Sequence, residues 1–537
     1  MRRILILLSI LLSGHLLAQT SEVTILVNPE RTYQSIQNFG ASDSWRVQFV
    51  GENWPISKRE KIADLLFSLD TDENGNPKGI GLSNWRFYIG AGSMEQGDDS
   101  DIRNVWRRSE CFLDAEGKYD WSKYKGQRWF LLAAKKRGVP EFTAYTISPP
   151  VFYTKNGLAH ATKGDLGFNL KSDKYEAYSK FLVDIIEHFE KNEKVYFNYL
   201  SPFNEPQWAW DQSNQEGTPA TNQELYRFIS ILSKELKARG LNTKLIIGEA
   251  GDLEYLYKKK GNNSNGDQIN IFFNPESEMY LGDLHNMEYA VTAHSYFTTW
   301  PVKTQLDVRQ KLANRLEEIN PDLDFWQTEF CILEKNDEMH GGWGRDTGMP
   351  TALYVARVIH SDLTIANARS WDWWTALSQF NYKDGLIHLD DGKGPGVVND
   401  TSQLNYNLRF DGEITETKLL WALGNYSRFV RPGMVRIDAK IENGLSPLEQ
   451  ATDLQVAAFK DTTSGKLVFV FENYTHKDKP IRLKGCDIST GQPAFFITDE
   501  KRNLQKYQVR LDQLVIPKRS VSTLVIEKQN TLKSINL

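Results

Sequence analysis

Tyr199-Leu200-Ser201-Pro202-Phe203-Asn204-Glu205-Pro206 sets an acidic side chain immediately after a strand-like run. Phe325-Trp326-Gln327-Thr328-Glu329-Phe330 repeats the form further along the chain. Outward from these two stretches, short apolar runs recur at 38–41, 84–89, 142–147, 195–201, 244–248, 290–296, 324–330 and 369–374. Amphipathic segments lie between them, at 57–69, 124–137, 174–190, 223–239, 305–319 and 349–366. Strands alternating with helices imply a parallel sheet, and eight such units imply an α/β fold of the closed (β/α)8 barrel type. A doubly wound open sheet is the rival, but no GxGxxG fingerprint follows the first strand.

The flanks read differently. After Pro432, short β-type runs at 454–459, 467–472, 481–483, 494–497, 507–511 and 522–526 are separated by turns such as Thr462-Thr463-Ser464-Gly465. That pattern predicts an antiparallel β-sandwich. The strand-like segment 23–27 precedes the barrel and is expected to complete the same sandwich. Arg2 and Arg3, the apolar run 4–12, then Ser13, Gly14 and a short Leu-Leu-Ala stretch ending at Ala18 resemble a secretory signal. The expected organisation is a signal peptide over 1–18, a sandwich strand within 19–34, the barrel over 35–430 and the sandwich over 431–537. An exported protein, periplasmic or extracellular, follows from that leader. Two loop-like insertions, 258–267 and 381–401, each follow a barrel strand and are expected on its C-terminal face.

The 537 residues are too many for one ordinary domain, and 40% hydrophobic content supplies a large core. A net charge of -5 lacks the basic footprint of a nucleic-acid binder. No run after the leader reaches the roughly 18 apolar residues of a membrane span. Cys111, Cys331 and Cys486 are odd in number and far apart, so no disulfide framework is expected. HExxH, CxxC and GxSxG are all missing, which leaves no metal, no cofactor and no serine-hydrolase elbow to propose. Of the 15 Trp and 22 Tyr, most are expected in the core and a minority in a groove, where flat rings stack on sugar faces.

The chemistry is expected from the two strand-end carboxylates. Side chains at the C-terminal ends of barrel strands point into the mouth, and the fourth and seventh strands stand on opposite walls. Glu205 and Glu329 therefore face each other. Glycosidic bond cleavage needs one protonated acid at the leaving oxygen and one ionised carboxylate at the anomeric carbon. A gap of about 5–5.5 Å gives retention of configuration through a covalent intermediate. Glu205 is the expected acid and then base, and Glu329 the nucleophile, with the charge of Glu329 helping to keep Glu205 protonated. The plainer readings are a solvated loop acid for Glu205 and a structural partner of Arg86 for Glu329. Glu249, at the end of the fifth strand, and Glu334 are the rival nucleophiles.

The ordered set of motifs resembles glycoside hydrolase family 30, within the clan of retaining barrel glycosidases. The resemblance rests on Ile36-Gln37-Asn38-Phe39-Gly40-Ala41, Ser148-Pro149-Pro150 with Lys155-Asn156-Gly157, Asn204-Glu205-Pro206-Gln207-Trp208, and the segment from Ala422 to Gly433. It covers nearly all of the chain beyond the leader. Together with Gln215-Glu216-Gly217-Thr218-Pro219, the segment after strand four is most similar to the endo-β-1,6-galactanase-type branch. By matching motif, the resemblance implies that Arg86, at the end of strand two, bonds the nucleophile or a sugar hydroxyl. It implies that Asn204 binds the 2-hydroxyl and that His294 and Tyr296 orient Glu329 or the sugar. Trp374 is implied as the floor of the cleaved sugar's subsite, and Trp208 as a further sugar contact. Alternation sends Trp371 and Trp373 to the opposite face from Trp374. A β-linked polysaccharide or oligosaccharide is the expected partner. A β-glucanase, a β-xylanase, an exo-acting β-glycosidase and a non-catalytic glycan-binding protein remain the alternatives.

Overall fold

The computed structural model describes residues 22–260, 265–391, 406–486 and 491–528. Its first strand, β1 (Val23–Ser35), belongs to the C-terminal sheet, and the chain then enters a barrel. The barrel strands are β2 (Asn38–Ser42), β3 (Asn84–Ile89), β4 (Glu141–Thr146), β5 (Tyr199–Ser201), β6 (Lys244–Ala250), β7 (Met287–His294), β8 (Asp324–Glu329) and β9 (Ser370–Trp373). All pair in parallel and in chain order, and β9 closes on β2. This is the predicted (β/α)8 barrel. The expected fourth strand, 195–201, keeps ladder pairing only over Tyr199–Ser201, although Val195 and Phe197 remain buried.

Strand β3 shows why these segments form such a barrel. All six of its residues are buried, because helices cover one face and the barrel interior covers the other. Trp85 and Phe87 point outward; Trp85 sits edge-on to Phe67 at 5.0 Å and tilted against Phe130. Asn84 and Arg86 alternate inward, and Asn84 donates to Asp372 at 3.1 Å. Arg86 is thus the third residue of its strand rather than its end, as the sequence had implied. The helices start where the sequence supplies caps. Thr221 and Glu224 form a capping box for helix Asn222–Ala238, which buries Leu225, Phe228, Ile229, Leu232 and Leu236 along one stripe.

Beyond β9 lies a small sheet of β10 (Thr375–Ser378), β11 (Gly385–Asp390) and β12 (Glu413–Glu416). Strand β11 corrects part of the expected loop 381–401. Its Leu386, Ile387 and Leu389 are buried, but Gly, Asp and Lys on both sides disguise so short a run. Residues 392–401 lie outside the described residues, as do 261–264 of the other expected insertion and the whole leader 1–18.

The remaining strands are β13 (Val435–Glu442), β14 (Leu454–Lys460), β15 (Leu467–Asn473), β16 (Lys479–Lys484), β17 (Gly491–Thr498), β18 (Gln505–Gln508), β19 (Val515–Ile516) and β20 (Ser520–Lys528). With β1 they form one curled sheet in the order β18-β17-β20-β15-β14-β13-β1-β16-β19. Neighbours are antiparallel except β1 and β16, which run parallel. Alternation in β15 divides its two faces: Val468 and Val470 join the barrel's core, while Phe469 and Phe471 join the sandwich's own. Among the described residues no helix is long and apolar enough to cross a membrane.

Candidate active site

Glu205 is held by its backbone. Past β5, Phe203 anchors the turn in an aromatic cluster, 5.0 Å from Phe168 and 5.6 Å from Phe228. Glu205 then adopts φ 43, the left-handed region that L-residues avoid at a cost of about 1–2 kcal/mol. Three hydrogen bonds clamp it there. Its N–H donates to Glu249 O at 2.8 Å, and its carbonyl accepts from Trp208 N at 3.0 Å and Trp210 Nε1 at 2.9 Å.

Glu249, on the neighbouring strand, shares this conformation at φ 40. Gly248 before it has φ 122 and lies so close to β7 that a Cβ would fall 2.2 Å from Thr292 O. The β6–β7 register shifts between Ile247 and Ala250, the span that holds Gly248, and Glu249 N–H is caught by Thr292 Oγ1 at 2.8 Å. The bulge turns the Glu249 carboxylate into the barrel.

Five strands, β3 and β5 to β8, supply the groups that meet at these carboxylates. Glu329 ends β8; its Oε1 accepts from Tyr296 OH at 3.0 Å and its Oε2 from Arg86 Nη1 at 3.3 Å. Arg86 lies with its guanidinium carbon 4.4 Å over the Tyr145 ring and donates through Nη2 to Glu249 Oε2 at 3.4 Å. His294, ending β7, bridges Glu205 Oε1 at 2.8 Å through Nδ1 and Glu249 Oε2 at 2.9 Å through Nε2. Thr328 donates to that same Glu249 oxygen at 3.0 Å. Ligand-type atoms of Glu205, His294 and Glu329 lie within 4.8 Å of one another, which puts a carboxylate oxygen of Glu205 that close to one of Glu329. Both ring nitrogens of His294 already bond carboxylates, an arrangement suited to carrying protons rather than ligating a metal.

Burial governs the charges. It pushes the Glu205 carboxyl up to about 7, with the negative charges of Glu329 and Glu249 acting in the same direction and the His294 bond opposing. The charge of Glu329 thus helps keep Glu205 protonated, as the sequence suggested, but burial is the larger cause. Burial opposes charge on His294, yet the surrounding carboxylates of Glu329, Glu205 and Glu249 raise it to about 10. Burial also opposes ionisation of Glu249, but His294 and Arg86 hold it below the ordinary carboxyl value.

The other expected residues divide. Asn204 is buried beside Glu205 with its amide oxygen unpartnered. Trp374 is half-buried, edge-on to Trp45 at 5.4 Å, and lines a cavity of about 630 Å³ with Arg46, Arg107, Phe380 and Asp384. Trp371 and Trp373 are sealed; their indole N–H groups donate to Asp362 and to Asp384 O. Trp208 does not join Trp374. It packs edge-on to Tyr255 at 6.2 Å and Phe297 at 5.9 Å, beyond the ends of β6 and β7. Glu334 bonds Thr299 and takes no part in the network. Glu249 was visible in sequence only as a strand-end acid. Its place at the centre of the network depends on the Gly248 bulge, and Gly before a strand-end Glu is the one signal that pointed there.

The family model for O-glycosyl hydrolase family 30 matches residues 22–388. The chain belongs to that family. An endo-β-1,6-galactanase of Hypocrea rufa is 25% identical over 240 residues, covering 42% of this chain and 48% of the relative. The chain thus matches about half the length of that relative. Glucuronoxylanase XynC of Bacillus subtilis is 25% identical over 366 residues, covering 67% of this chain and 68% of its own. The crystal structure of a conserved exported protein from Bacteroides fragilis superposes with a TM-score of 0.86 at 38% identity, over 94% of this chain and 100% of that one.

Proposed function

We propose that this family 30 protein is a retaining glycoside hydrolase acting on a β-linked glycan, with Glu205 as acid/base and Glu329 as nucleophile. The observation that carries the reading is the facing pair itself: carboxylate oxygens within 4.8 Å, one of the two carboxyls buried and held near 7. In the first step Glu329 Oε attacks the anomeric carbon as the glycosidic C–O bond breaks, and Glu205 gives its proton to the departing oxygen. Arg86 and Tyr296 hold the attacking carboxylate in place by two hydrogen bonds. With the glycosyl ester formed, the negative charge of Glu329 is gone, and Glu205 ionises more readily. It then takes a proton from water, whose oxygen attacks the anomeric carbon and releases Glu329. Asn204, with its unpartnered amide oxygen, is the group for the sugar's 2-hydroxyl, and Trp374 the ring beneath the sugar.

Endo-cleavage of β-1,6-galactan is the favoured activity, supported by the motif around Glu205 and by the galactanase relative. Glucuronoxylan is the second reading, because the glucuronoxylanase relative aligns over a longer stretch. Export through the leader 1–18 belongs to the same proposal and suits a polymeric substrate outside the cell. The test is hydrolysis of β-1,6-galactan, β-1,6-glucan and glucuronoxylan with product sizing, by wild type, Glu329→Ala and Glu205→Ala. Oligomeric products from galactan, lost in Glu329→Ala while binding persists, are expected. Unchanged hydrolysis by Glu329→Ala rules out the nucleophile assignment, and products only from glucuronoxylan overturn the substrate.

A further inference from the structure

Three hydrogen-bond donors converge on a single oxygen, Glu249 Oε2: Arg86 Nη2 at 3.4 Å, Thr328 Oγ1 at 3.0 Å and His294 Nε2 at 2.9 Å. Glu249 is ionised, held below the ordinary carboxyl value by His294 and Arg86 against burial, so this oxygen only accepts. His294 Nε2 must therefore carry a proton. The open question is whether Nδ1, 2.8 Å from Glu205 Oε1, carries one too.

Charge answers it. Arg86 is positive, and Glu249 and Glu329 are the carboxylates nearest to it. Those three charges sum to -1 in a fully buried pocket, and a charged His294 brings the sum to zero with Glu205 protonated. Every group facing the imidazole favours that state. Glu205 reaches it from β5 and Glu249 from β6, and Glu329 Oε1 stands 3.7 Å from Nδ1 on β8. Tyr296, its ring 5.7 Å away, is neutral and already bonded to Glu329, with the Cys331 thiol behind it. Asp43 and Asp372 also act on Arg86, and burial raises both, Asp372 to about 7.

We propose that Glu249 is a positioning residue which keeps His294 doubly protonated, so that Glu205 presents its own proton on Oε2, the oxygen facing the leaving group. With Nδ1–H donating to Oε1, a proton on Oε1 would meet a proton on nitrogen. The Glu205 proton is driven to Oε2, where no hydrogen bond among the described residues engages it. Without the Glu249 charge the pair shares one proton fewer. That proton lies between Oε1 and Nδ1, as O–H···N or as O⁻···H–N. In either form Glu205 has nothing to give to the departing oxygen. Glu249→Gln isolates the effect. Arg86 and Thr328 still require an acceptor at the Oε2 position, so the amide oxygen stays there and Nε2 keeps its proton.

This inference rests on Glu205 being the acid, and the test separates the two. Substrates are β-1,6-galactobiosides with a 2,4-dinitrophenol or a methanol leaving group; the first needs no proton to depart, the second does. Glu205→Gln is expected to lower kcat/KM for the methyl glycoside by a factor of about 100 or more and for the dinitrophenyl glycoside by less than about fivefold. Glu249→Gln is expected to show the same split, and Glu249→Asp, which restores the charge, to recover most of the loss. Equal losses on both glycosides in Glu249→Gln, with Glu205→Gln behaving as stated, overturn the inference alone. No split in Glu205→Gln overturns the acid assignment and the inference together. Independently of any substrate, ring ¹⁵N shifts of His294 in wild-type protein, assigned by its loss in His294→Phe, are expected to be those of imidazolium from pH 6 to 9. A neutral ring at pH 8 overturns the inference whatever the enzyme cleaves.

Discussion

Raising the pH should switch off the first chemical step before it unfolds the protein. Glu205 must be protonated to act as the acid, and burial, reinforced by the charges of Glu329 and Glu249, sets that proton's departure at about 7. Because kcat/KM reports ionisations of the free enzyme, its alkaline limb should bend near pH 7 and fall tenfold per unit above it. At pH 9, two units past the bend, about 1% of the enzyme keeps the proton, and kcat/KM should stand about 100-fold below its plateau. Attribution needs care in the design, since Glu141, Glu216 and Asp372 are also held at about 7 by burial. Glu205→Gln with an activated aryl glycoside separates them. If Glu205 sets the limb, that variant's kcat/KM is flat from pH 6 to 9. A limb that persists unchanged in Glu205→Gln belongs to one of the other three, and a wild-type profile flat to pH 9 refutes the acid assignment itself.

Thermal stability should fall as pH rises from 5 to 9. Glu141, Glu205, Glu216 and Asp372 bind protons more tightly folded than unfolded, so their stabilisation is complete below about 4 and is lost as pH passes about 7. His294 extends the decline from its ordinary 6.5 to about 10, and a Tm by scanning fluorimetry that is flat or rises across this range contradicts the buried charge states. Gly248→Ala should cost about 3 kcal/mol in a denaturant titration and nearly all activity, because the Cβ collides with Thr292 O at a φ reserved for glycine; wild-type turnover would mean the bulge is not needed. Trp374→Ala should lower kcat/KM on the preferred glycan by about 10–100-fold with Tm little changed, whereas Trp371→Ala, in the sealed layer, should show the reverse balance.

The barrel was legible because its signal is local and repeated. Each strand is a short buried run and each helix an amphipathic one, and alternation fixes which residues face inward. Glu205 and Glu329 were legible for the same reason, since a strand's end carries its side chain to the mouth whatever the surrounding loops do. What escaped was tertiary. Strand β11 holds only six residues between glycine- and aspartate-rich turns, and it becomes a strand by pairing with β10 and β12. The separation of Trp208 from Trp374 is decided by where the segments after β5 and β9 go, not by either segment's composition. Glu249 was named only as a rival nucleophile, because a strand-end carboxylate looks the same whether it faces substrate or is buried beneath it. Its burial follows from one glycine and a register slip between two strands.

That slip also explains how two strained residues come to sit side by side. Glu205, just past β5, and Glu249, on the neighbouring β6, both occupy the left-handed region, and the N–H of the first bonds the carbonyl of the second. Neither conformation is stable alone; each persists only because the surrounding barrel over-determines it. The Gly248 bulge against Thr292 presents the Glu249 carbonyl to the Glu205 N–H, and that bond holds Glu205 at the angle that aims its carboxyl across the mouth. The same bulge delivers the Glu249 side chain under His294, whose Nδ1 reaches Glu205 again. Glu205 is thus positioned twice by Glu249, once through backbone and once through a charged imidazole. With Glu205 as the proposed acid, one local distortion of β6 would set both its orientation and its proton, and the Gly248→Ala variant tests the two together.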